Sequence, residues 1–179
     1  MNRCIALLRA INVGGNSALP MRSLVSMLEG LGAHQVHTYL QSGNVVFQSA
    51  DNDPAQLSRQ LAAEINQLHG FEPQTFILSL DALRRAHADC PFSAEADAEP
   101  TSVHLGFFAA KPLQPNIEKM DSLKKDSERF FLGDGVFYLH APEGVGKSKL
   151  AAGAEKLLGV PMTMRNWRTV CKVIALAES

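Results

Sequence analysis

Arg9 stands where a guanidinium has something to do. It follows Cys4-Ile5-Ala6-Leu7-Leu8, a nearly continuous apolar run that reads as a strand buried on both faces. A charge at the end of such a strand is expensive to desolvate without a partner. Two roles fit it. One is a brace paired with a carboxylate or with loop carbonyls; the other is an anion anchor that points into a cleft in forked geometry. The residues that follow, Asn12-Val13-Gly14-Gly15-Asn16, are turn chemistry. Their two glycines permit positive φ and let a ligand or another backbone come close. A second polar turn of small residues, Ser42-Gly43-Asn44, lies further along.

Two more groups sit near the end of the chain. Ala141 to Ser148, APEGVGKS, fits a relaxed phosphate-loop pattern with alanine in place of the first glycine. Three features speak against an NTPase. The strand before it is expected to pair as a hairpin, no later strand ends in an aspartate for magnesium, and Pro142 removes a backbone donor. Anion binding without hydrolysis stays open, because Lys147, Ser148 and Lys149 coincide with a helix N-terminus. Further on, Thr163 reads as the N-cap of a last helix, which places Arg165 and Asn166 in its first turn. Arg168 and Lys172 continue that side, either as a solvated basic face or as an anion clamp.

Other chemistries find no residues. The six histidines are scattered, and His34 and His37 have no carboxylate or thiol cluster to complete a metal site. No serine occupies a G-x-S-x-G elbow, no carboxylate pair stands out, and nothing identifies a cofactor. Cys4, Cys90 and Cys171 are far apart, which fits reduced thiols in a cytoplasm. Met1-Asn2-Arg3 leads straight into a strand without a signal-peptide pattern. No apolar run approaches the ~20 residues of a membrane span. A net charge of −1 argues against a protein that coats nucleic acid, though not against a local basic patch.

The elements that must hold these residues follow from periodicity. Met21, Leu24, Val25, Leu28 and Leu31 repeat as one face of a helix that Gly32 stops. His34 to Gln41 alternates as a half-buried strand, Ser42-Gly43-Asn44 turns, and Val45 to Gln48 returns. Asp53-Pro54 opens a second helix with Leu57, Leu61, Ile65 and Leu68 inward, and Gln74 to Leu78 is a fourth strand. The order β-α-β-β-α-β is the ferredoxin-like arrangement. In it the loop after the first strand and the turn between the second and third emerge at one end of the sheet. The two small-residue loops should therefore meet. From residue 80 the pattern predicts a short helix, a mobile acidic loop over Ser93 to Thr101, a strand at Val103 to Ala109 and a helix around Met120. A hairpin turning at Asp134-Gly135 and helices over Ser148 to Leu158 and Thr163 to Glu178 complete it.

LLRAINVGGN, PMRSLVSMLEGLGAHQVHTYLQSGNVVFQS, EGVGKSKL and TMRNWRTV together resemble the bacterial family called domain of unknown function 1697, across nearly the whole chain. The resemblance implies a cytoplasmic α+β protein of two packed subdomains, the first ferredoxin-like, and brings no activity with it. Arg9, Asn12, Gly14, Gly15, Ser42, Gly43, Asn44, Ser148, Lys149, Arg165, Asn166 and Trp167 match its signature positions. Ala10 stands where the family more often has glycine, and lysine is not constant at the place of Lys147.

The reading is thus an α+β chain, a ferredoxin-like half over residues 1–79 packed on a second, smaller α+β half over 80–179. Its expected ligand is small and phosphate-bearing, a nucleotide or sugar phosphate in a cleft between the halves. Arg9, Asn12, Gly14, Gly15, Ser42, Gly43 and Asn44 would form one wall, and Ser148, Lys149, Arg165 and Asn166 the other. The alternative is a nucleic-acid or protein partner on the basic face of the last helix. A third reading gives Asn44, Asn166 and Trp167 a purely structural part.

Overall fold

The apolar N-terminal run forms β1 (Asn2–Leu8), followed by α1 (Met21–Gly30), β2 (His34–Tyr39), β3 (Asn44–Ser49), α2 (Pro54–His69) and β4 (Thr75–Ser79). The computed structural model describes residues 1–50 and 53–179. They divide into two units, Met1–Arg84 with Lys172–Ser179, and Arg85–Cys171. The first sheet has the order β2-β3-β1-β4 with antiparallel pairing throughout, which is the ferredoxin-like topology expected from the sequence. One face of β1 supplies Cys4, Ala6 and Leu8 to a core shared with Leu24, Leu28, Phe47, Leu61 and Ile65 from the helices and β3. Burying each large side chain contributes up to about 1.5–3 kcal/mol. Asp53 caps α2 by accepting from the Gln56 amide, with Pro54 in the first turn.

The connecting residues form α3 (Leu80–Ala88) and α4 (Ser93–Ala98). The second of these corrects the expectation of a mobile acidic loop. Ala94, Glu95, Ala96 and Ala98 of SAEADA favour helix strongly. The helix is anchored by buried Ala96 and by an ion pair between Glu95 and Arg129.

The second unit then runs β5 (Val103–Phe108), α5 (Ile117–Leu123), β6 (Arg129–Leu132), β7 (Val136–His140), α6 (Lys149–Leu158) and β8 (Met162–Asn166). Its sheet order, β6-β7-β5-β8, repeats the first topology strand for strand. The second half is therefore a complete βαββαβ unit, more than the βαββα pattern the sequence suggested. Phe137, Leu139, Leu150, Ala154 and Leu158 make its core with Met120 of α5. On the other sheet face the Tyr138 hydroxyl donates to the Ala86 carbonyl at 2.8 Å, and Arg129 stacks over Phe92.

The final segment needs a second correction. Residues 162–166 are strand, and the last helix, α7 (Trp167–Glu178), starts three residues later than a cap at Thr163 would have made it. Met162, Thr163, Met164, Arg165 and Asn166 pair with Phe108 back to His104 and give β5 its second neighbour. The unpaired edge of β5 outweighs the local capping preference of Thr163. The end of α7 belongs to the first unit, where Glu178 pairs with Arg84 at 2.7 Å. Among the described residues no helix is long and apolar enough to cross a membrane.

Candidate functional site

The chain leaving β1 makes a small hairpin of its own. Asn12 N–H donates to the Ser17 carbonyl at 3.1 Å, Val13 bridges Asn16, and Gly14 and Gly15 form the tip with φ of 62° and 78°. Both central residues lie in the left-handed region, as a type I′ turn demands, which accounts for the glycine pair locally. A Cβ added at either glycine meets nothing within 4 Å, so the tip is open on its outer side.

Asn12 is the clasp of this loop. Its side-chain oxygen accepts from Leu19 N–H at 2.7 Å, while its amide donates to the Leu19 carbonyl at 2.9 Å and to the Gln41 carbonyl at 2.7 Å. The last bond reaches the β2–β3 turn, so the two polar loops lie together as the topology required. Gly43 completes the seam. Its carbonyl accepts from Leu8 N–H at 2.8 Å, and its α-carbon packs against Leu8 and Ile11. Asn44 is fully buried and donates to the Tyr39 carbonyl and the Ser42 hydroxyl.

Strain concentrates at this end of the sheet. Ala10, Asn12, Ser17 and Leu40 have φ between 54° and 60°, four of the five non-glycine residues with positive φ among the described residues. At Ala10, Ser17 and Leu40 such a placement costs about 1–3 kcal/mol and persists only where surrounding structure enforces it, whereas Asn12 adopts it more readily. Val13 and Leu40, flanking the Asn12–Gln41 bond, are 63% and 56% exposed. Arg9 is half-buried just beyond β1, and its guanidinium donates to the Gln74 side-chain carbonyl at 2.8 Å. This end of the sheet thus carries a cation held by Gln74 on the β4 side of β1, and two exposed apolar side chains and an open glycine tip at the clasped loops. Sequence reasoning missed Val13 and Leu40. Leu40 alternates with the half-buried strand before it, and only its φ of 60° turns it out.

The candidate residues of the second unit divide differently. Ser148 is buried and caps α6, its hydroxyl accepting from Ala151 N–H at 3.0 Å; Lys149 is exposed in the first turn. The preceding loop is held by Glu143, which accepts from Lys125 Nζ and Ser127 Oγ. That carboxylate, held below its usual range by Lys125 and Ser127, disfavours an anion in the loop. Ser148→Ala is expected to lower stability by about 1 kcal/mol through the lost cap, a change that urea denaturation measures.

Arg165 does not lie in a helical first turn. On β8 its guanidinium donates to Thr163 Oγ1 and to the Met164 carbonyl, each at 2.9 Å. Burial lowers its pKa to about 10. Asn166, rather than Thr163, caps α7 by accepting from Thr169 N–H at 2.9 Å. With Arg165 on the strand, the exposed basic side of α7 comprises Arg168 and Lys172. Trp167 stacks on His87 with ring centroids 4.1 Å apart, and His87 Nε2 lies 3.5 Å from Cys171 Sγ. Burial raises the Cys171 thiol pKa and lowers that of His87, so the pair rests uncharged. Among the described residues no three His, Cys, Asp or Glu side chains gather to hold a metal ion.

A family model described as "Protein of unknown function (DUF1697)" matches residues 1–138. No curated protein matches the chain. Among solved structures, the conserved bacterial protein SP0830 from Streptococcus pneumoniae is 27% identical with a TM-score of 0.71, and the match covers 98% of each chain.

Proposed function

The chain belongs to the DUF1697 family, and from that premise we propose that it binds a small phosphate-bearing ligand at the clasped loops of the first unit. The single observation that carries this reading is the crowding of left-handed residues there. Ala10, Asn12, Gly14, Gly15, Ser17, Leu40 and Gly43 all have positive φ within two loops that Asn12 ties together. The glycines and Asn12 adopt that region readily, but the strain held at Ala10, Ser17 and Leu40 favours a fixed constellation over a merely convenient turn. Arg9 anchors the phosphate, the hairpin tip at Gly14-Gly15 admits its oxygens, and the Ser42 hydroxyl stands at the second loop. Val13 and Leu40 supply apolar contact for a base or sugar, which points to a nucleotide or sugar phosphate. Ser148, Asn44 and Asn166 act in this reading as caps and turn braces; Lys149 and Arg165 are cations of the second unit.

A thermal-shift series with AMP, glucose 6-phosphate, inorganic phosphate and a short RNA tests the proposal. At a hundredfold excess over Kd, a ligand of the native state is expected to raise Tm by about 5–10 °C. Arg9→Gln should remove most of that rise. Gly15→Asn should do the same while leaving the unliganded Tm within about 2 °C, because asparagine tolerates the left-handed region. No response to the phosphates, or a response that both variants retain, contradicts the reading. A salt-sensitive response to RNA alone would instead favour the basic side of α7.

A further inference from the structure

The fifth non-glycine residue with positive φ is Gln35, at 50°, and it lies away from the clasped loops. It sits in β2 where the register against β3 shifts between His34 and His37. A bulge of this kind bends the strand and re-aims a side chain. Here it opens onto a cavity of about 240 Å³ lined by Arg3, Gln35, His37, Val46, Gln48 and Leu176. The cavity is built on the sheet face opposite α1 and α2. Cys4, Ala6 and Leu8 point to the helices, so Arg3 takes the other side, directly across from Gln48, while His37 faces Val46. Leu176, near the end of α7, contributes an apolar wall.

None of the Arg3, Gln35, His37 and Gln48 side chains makes a hydrogen bond or ion pair with another described residue. A guanidinium, an imidazole and two carboxamides therefore converge on one cavity with their donors uncommitted. We propose that this is a second binding site, for a small carboxylate. A carboxylate matches the fork of Arg3 in two parallel N–H···O bonds. The carboxamides and imidazole then read a second polar group, as a short dicarboxylate or hydroxy acid presents. The cavity, open to solvent on the side of Gln35 and His37, gives at about 240 Å³ room for such an acid. The site is separate from the clasped loops, since Arg3 and Leu8 lie five residues apart on β1, about 17 Å.

The experiment is an NMR titration of the full chain with succinate as probe, following side-chain amides of Gln35 and Gln48 and the Arg3 Nε–H. Saturable shifts at these groups are expected, with Kd raised about tenfold or more in Arg3→Gln. Gln48→Leu, which keeps the cation, should weaken binding to a smaller extent, and Gly15→Asn should leave it unchanged. Unaltered backbone spectra of the variants establish that they fold. The proposal is overturned if the shifts do not saturate by tens of millimolar, or if both cavity variants bind as the parent does. Tighter binding of inorganic phosphate at the same groups overturns the carboxylate class.

Discussion

Gly43→Val is expected to destabilise the protein by about 3–5 kcal/mol and to lower Tm by roughly 6–20 °C. Two effects add. The backbone at Gly43 has φ of 80°, where a β-branched residue is strongly disfavoured. A Cβ there would also stand 2.8 Å from both Leu8 Cβ and Ile11 Cδ1, inside the core under the clasped loops. Neither neighbour gives way easily, because Leu8 is fully buried and Ile11 nearly so. Gly15 provides the comparison, with positive φ but open space around it. Gly15→Asn should cost less than about 1 kcal/mol. Urea unfolding of the two variants side by side measures the contrast, and equal, small losses would show that the seam at Gly43 is not packed as described.

Acid should destabilise the second unit well before its carboxylates titrate. His104, on β5 between Leu139 and Asn166, is 8% exposed, and its Nδ1 is buried without a hydrogen-bond partner. Burial lowers its pKa to about 4. In the unfolded chain a histidine titrates near 6.5. Between those values the unfolded state binds the extra proton, so stability falls as pH drops from about 6.5 to about 4 and levels below that. The full loss is about 3 kcal/mol. His140 adds in the same direction, its pKa lowered by burial first and by Arg129 second. Glu95 and Glu143 are held low by Arg129 and Lys125, so their losses come at lower pH still. His104→Leu should flatten the curve above pH 4. A variant that keeps the parent's acid sensitivity would assign it elsewhere.

Much of the first unit was legible because each level of its sequence agrees. The helical stripe of Leu24 and Leu28, the alternation of β2 and the Asp53-Pro54 start all point to one topology, and that topology brings the two polar loops together. What it could not convey was how they are held. Asn12 reads as an ordinary turn residue, and only folding brings the Leu19 and Gln41 carbonyls to its amide. The second unit was harder. TMRN carries a good cap residue, so local chemistry suggested a helix, whereas the free edge of β5 draws it into a strand. That change moves Arg165 off the helix and gives the cap to Asn166. The second βαββα pattern is legible without any repeated residues, because sheet order is specified by buried pattern and connection lengths, but its closing strand β8 is not. Arg3 and Gln48 gave no sequence signal: they are neighbours by strand register alone.

The most direct test of ligand binding at the clasped loops is a backbone amide NMR titration of the whole chain with AMP. Binding there predicts saturable shifts centred on Gly14, Gly15, Ser42 and Gly43, together with the Arg9 Nε–H, and their loss in Gly15→Asn. Saturable shifts confined to the second unit or to α7, or none at concentrations that saturate ordinary nucleotide sites, would contradict it.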